Sequence, residues 1–157
     1  MGIGTLILGI GNTLLTDEGV GIHVLKALEN QGRLPADVTF MDGGTLSFTL
    51  AGPIEDCARL IAVDAAELKQ PPGSIRVFEG ADMDTHVAAG GKRSVHEVSL
   101  ADVLGMAALA GRLPPQRALV GIQPKYMDWG DGPTPEVEAV IPDACRAIGD
   151  IIARWYP

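Results

Sequence analysis

The sequence predicts an α/β domain of three layers: a mostly parallel, twisted sheet of about five strands with helices on both faces. Three observations carry that expectation. The apolar run Leu6-Ile7-Leu8 leads through a glycine-punctuated turn into an amphipathic helix that begins near Asp17, the strand-turn-helix opening of such a domain. Leu60-Ile61-Ala62-Val63 is a continuous apolar run stopped by Asp64, as expected of a strand buried on both faces. The whole chain reads β-α-β-α-β-β-α-β-α, and crossovers of that kind give parallel pairing.

The first strand is expected over Thr5 to Ile10. Its helix carries Val20, Val24, Leu25 and Leu28 on one face and ends near Gly32. After the return turn Arg33 to Asp37 comes a second strand, Val38 to Met41, ending in the turn Asp42-Gly43-Gly44. Thr45 to Asp56 suggests a short helix interrupted by Gly52-Pro53. The third strand is Leu60 to Asp64. Ser74 to Glu79 alternates like a half-exposed strand, antiparallel at the sheet edge.

Gly80 to Val98 lacks clear periodicity and reads as a long loop, the kind that is usually functional; it holds His86 and His96. Ser99 offers an N-cap to a helix over Leu100 to Ala110 that stops at Gly111. Ala118 to Ile122 is the last strand, followed by the aromatic, glycine-rich loop Gln123 to Pro133. Thr134 as N-cap and Pro135 at the first helical position open the closing helix, which Pro142 should kink or split.

Composition bounds the function. With 157 residues, 46% of them hydrophobic, the chain fits one domain over residues 1–157 with a sizeable core. A net charge of −8, from 12 Lys+Arg against 20 Asp+Glu, argues against nucleic acid or an anionic membrane as partner and permits a cationic or metal-bearing one. Two cysteines, Cys57 and Cys145, without a CxxC pair, fit a reducing cytoplasm, and both look like small buried hydrophobes. No leader pattern and no apolar stretch long enough to span a bilayer is visible, so the expectation is a soluble, cytoplasmic protein.

The predicted sheet delivers its chemistry to one edge, the carboxyl ends of the strands: Asp17 and Glu18 after the first, Asp42 after the second, Asp64 after the third, and potentially the His96 loop. Glu18, Asp64 and His96 together offer two oxygen ligands and one imidazole, a set suited to Zn, Ni, Fe or Mn with positions left for water or substrate. Each also has an ordinary reading. Glu18 or Asp17 could simply favour a helix N-terminus, Asp64 could cap a turn, and His96 could bond a backbone carbonyl. His86 has the same chemistry in the same loop, and His23 in the first helix reads as structural.

A dinucleotide site is the competing reading, since Gly9-Ile10-Gly11 follows a strand and Asp42 ends the next. It fails at Leu14, where a third glycine belongs, and at Asp17 and Glu18, which would repel a pyrophosphate.

Five segments in the same order, running through nearly the whole chain, resemble one family. They are Gly9-Ile10-Gly11-Asn12-Thr13-Leu14-Leu15-Thr16-Asp17-Glu18-Gly19-Val20-Gly21, Asp42-Gly43-Gly44-Thr45, Val63-Asp64-Ala65, Ser94-Val95-His96-Glu97 and Val120-Gly121-Ile122-Gln123-Pro124. The chain is similar to the maturation endopeptidases of [NiFe]-hydrogenases, and the G-x-G-N-x-L-x-x-D-E-G-x-G segment is specific. The resemblance implies a protease that removes a C-terminal extension from the hydrogenase large-subunit precursor after nickel insertion. It implies Glu18, Asp64 and His96 as ligands of nickel carried by the substrate, with no tightly bound organic cofactor. Asp42 could position the substrate backbone or act as base in place of Glu18 or Asp64. The loop 123–133 either selects the precursor or is a surface loop with Trp129 packed back on the core. A non-catalytic, metal-dependent docking module or chaperone for the precursor would use the same residue types, and a nucleotide-binding domain is the remaining alternative.

Overall fold

The computed structural model describes residues 2–44, 47–90 and 98–157. Five strands form one sheet: β1 (Thr5–Ile10), β2 (Val38–Gly44), β3 (Arg59–Ala65), β4 (Ile75–Glu79) and β5 (Gln116–Ile122), in the order β2-β1-β3-β5-β4. All pairs are parallel except β4 with β5, so the edge strand expected from the alternation of Ser74 to Glu79 is antiparallel.

Strand alternation sorts the apolar residues onto two faces. Ile7, Ile61, Val63, Val120 and Ile122 pack against α1 (Val20–Gln31) and α6 (Ile141–Trp155). Leu6, Leu8, Leu60, Ala62 and Leu119 pack against α2 (Ala51–Asp56), α3 (Ala81–Ala89) and α4 (Leu100–Leu109). Helices therefore cover both sides, as the continuous apolar run of β3 requires. The closing helix is split: α5 (Pro135–Glu138) ends before α6, which has Pro142 in its first turn where no intrahelical N–H is missed.

Three readings are corrected. Asp42-Gly43-Gly44 is not a turn but the end of β2, where Gly9 pairs with Asp42 and Ile10 with Gly44, leaving Gly43 as the extra residue of a bulge. Pro53 does not interrupt α2; it sits in the first turn, after a 3-10 turn over Phe48–Leu50. The segment from Gly80 is not wholly a loop, because Ala81–Ala89 is helical; only Met83 of that helix is buried, so it shows no apolar stripe. Ser99 caps α4 as expected, in a reciprocal capping box with Asp102.

Among the described residues, no helix is long and apolar enough to cross a membrane.

Candidate active site

The chain leaves β1 toward β2 on one side and β3 on the other, so the crevice between the carboxyl ends of β1 and β3 is the topological switch point of the sheet. A cleft of about 600 Å³ opens there. Glu18, Asp64, Glu67, His86, Gln123 and Met127 are among its lining residues.

Glycine geometry brings Glu18 to this place. At Gly11 φ is +134°, and a Cβ there would lie 1.8 Å from the carbonyl oxygen of Glu18. A Cβ on Gly21 would lie 2.2 Å from the Val63 carbonyl oxygen and 2.4 Å from that of Ile10. Only glycine lets the turn fold over the end of β1 and the first turn of α1 rest directly on β1 and β3. The 3-10 turn Thr16–Gly19 consequently packs against β3, the strand that carries Asp64.

Several N–H groups of the same turn are already bonded within the protein. Gly11 N–H donates to the Gly44 carbonyl (3.1 Å), Leu15 N–H to that of Asn12 (3.0 Å), Thr16 N–H to that of Gly130 (3.2 Å) and Asp17 N–H to that of Tyr126 (3.1 Å). Leu14 N–H is held by the Asn12 side chain at 2.9 Å. These donors would have to point at a bound anion, and they are committed elsewhere.

Asp17 and Glu18, adjacent in sequence, have separate tasks. Asp17 is fully buried and turned away to the loop after β5. Its carboxylate accepts from Lys125 N–H (2.8 Å), Tyr126 N–H (3.0 Å), Thr134 N–H (2.7 Å) and the Thr134 hydroxyl (2.8 Å). Burial pushes its pKa up, but these hydrogen bonds outweigh burial and hold it below the usual carboxylate range. Thr134 occupies the N-cap position of α5, yet its side chain serves Asp17 rather than the helix.

Asp42 is exposed, and its Oδ1 accepts from Gly44 N–H at 2.8 Å. It is not in the cleft lining, whereas Gly44 is. His96 lies outside the described residues. His86 lies in the last turn of α3, stacked on Phe78 with ring centroids 4.0 Å apart. Burial, and then the nearby Arg76 charge, lower its pKa, which keeps the imidazole neutral near pH 7. Of the four sequence candidates, the cleft thus joins Glu18 and Asp64. Among the described residues, no three His, Cys, Asp or Glu side chains come together as a metal cage.

Two cleft residues, Gln123 and Glu67, escaped the sequence reading as site residues. Gln123 is buried; its Oε1 accepts from Leu68 N–H (2.7 Å) and its Nε2 donates to Glu67 (2.5 Å), so it fixes the segment after Asp64. Only its place after the last strand could have signalled it. Neither cysteine competes as nucleophile: burial pushes the Cys57 thiol up to about 11 and raises that of Cys145.

The family model described as HycI, hydrogenase maturation protease, matches residues 22–151. The chain belongs to the hydrogenase maturation proteases. The hydrogenase 2 maturation protease of Escherichia coli is 37% identical over 144 residues, covering 91% of this chain and 87% of that one. The hydrogenase expression/formation protein HoxM of Cupriavidus necator is 32% identical over 149 residues, 94% of this chain and 73% of that protein. Among solved structures, the hydrogenase maturating endopeptidase HybD from Escherichia coli has a TM-score of 0.88 at 34% identity, covering 98% of this chain and 94% of that one. As a maturation protease, this chain is a peptidase, and the five-strand sheet with helices on both sides is the fold of HybD.

Proposed function

We propose that this protease removes the C-terminal extension of a [NiFe]-hydrogenase large-subunit precursor after nickel insertion, and that Glu18, Asp64 and His96 bind the nickel carried by that substrate. The observation that carries the reading is the switch-point cleft of a hydrogenase maturation protease, lined by both Glu18 and Asp64. Two carboxylates that reach one cleft are hard oxygen ligands of the kind a divalent metal carried by a substrate accepts.

In this reading Glu18 and Asp64 hold the metal-bearing region of the substrate so that the scissile carbonyl lies over the carboxyl ends of β1 and β3. One carboxylate takes the proton of the attacking water, and that proton then goes to the leaving amine. A carboxylate engaged with the metal is the weaker base, so whichever of Glu18 and Asp64 takes the proton gives up its hold on the metal at the moment of attack. The lining supports Glu18 or Asp64 as base over Asp42, which is occupied by the Gly44 N–H.

Intact mass of the precursor, nickel-loaded and nickel-free, before and after incubation with the protease tests this. Loss of a C-terminal fragment from the nickel-loaded sample alone is the expected result. Equal loss from both samples would overturn the nickel requirement, and loss from neither would overturn the substrate.

A further inference from the structure

The loop after β5 is pinned, yet it exposes its largest side chains. Thr16 N–H donates to the Gly130 carbonyl, and Gly130 N–H donates back to Leu14 at 3.0 Å. The Thr16 hydroxyl donates to the carbonyls of Tyr126 (2.6 Å) and Asp128 (3.1 Å), and Asp17 holds the backbone at Lys125, Tyr126 and Thr134. A loop so held could have turned its aromatics inward. Instead Trp129 is 72% exposed and Leu14 56% exposed, with Tyr126 and Met127 also at the surface. Trp129 is therefore not packed back on the core.

We propose that Leu14, Tyr126, Met127 and Trp129 form a preorganised docking surface for the folded body of the protein substrate. The inference rests on the reading of the cleft as the place of cleavage. A cleft of about 600 Å³ has the size of a small-ligand site and accepts a short segment of chain, so the rest of the substrate must lie outside it. Met127 belongs both to the cleft lining and to the exposed group, which makes the two surfaces continuous. The bridge between Leu15 and Gly130 brings Leu14 beside the loop. Asp128 and Asp131 flank the aromatics on a chain of net charge −8, so the fitting surface is an apolar patch with a lysine and arginine rim. Rigid, exposed aromatic anchors are the residues that dominate protein interfaces, because little freedom remains to be lost on binding.

The test titrates nickel-loaded large-subunit precursor against the wild type, Trp129→Ser and Leu14→Ser, reading equilibrium binding and cleavage separately. Leu109→Ser is the control, since Leu109 is 92% exposed at the end of α4 remote from its cleft residue Leu100. Both docking variants should bind about tenfold more weakly, with KM rising in step and kcat at saturating precursor within about twofold. Wild-type affinity in Trp129→Ser, or an equal loss in Leu109→Ser, overturns the docking surface while leaving the cleft reading intact. A wild type that binds through Trp129 without cutting supports docking and breaks the cleavage reading. A wild type that does neither overturns both.

Discussion

The two ends of the sheet put their polar groups to different uses. At the amino ends of the strands every polar group named has a partner. The Thr5 and Tyr156 hydroxyls lie 2.6 Å apart, Tyr156 donates to Asp37 at 2.8 Å, and the Arg59 guanidinium lies 4.3 Å over the Tyr156 ring with its Nε donating to Gln116 at 3.1 Å. At the carboxyl ends Glu18, Asp64 and Glu67 line one cleft together with Gln123 and Met127. The groups at the amino ends bond to one another and stabilise the fold, whereas the carboxylates at the other end line an open cleft where a ligand can reach them. The difference separates groups kept for folding from groups kept for substrate.

The largest effects should therefore come from the carboxyl end and leave stability nearly untouched. Glu18→Gln and Asp64→Asn should each lower precursor cleavage by roughly 10²–10⁴-fold. His96→Ala should match them, while His86→Ala stays within a few fold of wild type. Cleavage rates and thermal unfolding of the same preparations check this together. Asp42→Asn should be milder than either lining acid; were it the most damaging of the three, the base would be Asp42 and the boundary drawn by the cleft lining would be wrong.

Asp17 crosses the comparison, a carboxylate at the carboxyl end that lies outside the cleft lining and is bonded into the fold like the groups at the amino end. Asp17→Asn replaces an acceptor with an amide donor facing N–H groups, and should cost about 2–4 kcal/mol of stability by leaving buried donors unmet. Its folded pKa is depressed, so its contribution is complete above the unfolded value of about 3.9 and is lost as pH falls through the folded value. Urea unfolding should show a constant gap between wild type and variant from pH 7 to about 5, closing below about 4. A gap that widens on acidification would mean that Asp17 is not the charged clamp of this loop.

The sheet was legible because burial writes itself into sequence: β3 is buried on both faces and reads as an uninterrupted apolar run, and Ser99 with Asp102 spells its own cap. Other features had no such mark. α3 buries only Met83, so it lacks a stripe, and glycines in a bulge look the same as glycines in a turn. Asp17 and Glu18 are adjacent acids whose opposite directions depend on a 3-10 turn and on a loop more than a hundred residues later. Glu18 and Asp64 were reachable because each follows or ends a strand at the switch point. Gln123 acts through backbone groups at Leu68 and Gln70, a relation that no local pattern records.

The smallest effect should come from Tyr156→Phe, which isolates one hydroxyl at the paired end. The ring remains, so Arg59 keeps its place over an aromatic face. What is lost is the donor to Asp37 and the partner of the Thr5 hydroxyl, and Thr5 is buried and left with one contact fewer. A loss of about 0.5–1.5 kcal/mol follows, or a fall in melting temperature of a few degrees for a chain of this size. Cleavage of the precursor at a temperature well below melting should be unchanged, because no atom of this network reaches the cleft. A cleavage defect comparable with that of Glu18→Gln would show that the two ends are coupled through β1 and β3, and the separation of folding groups from substrate groups would fail.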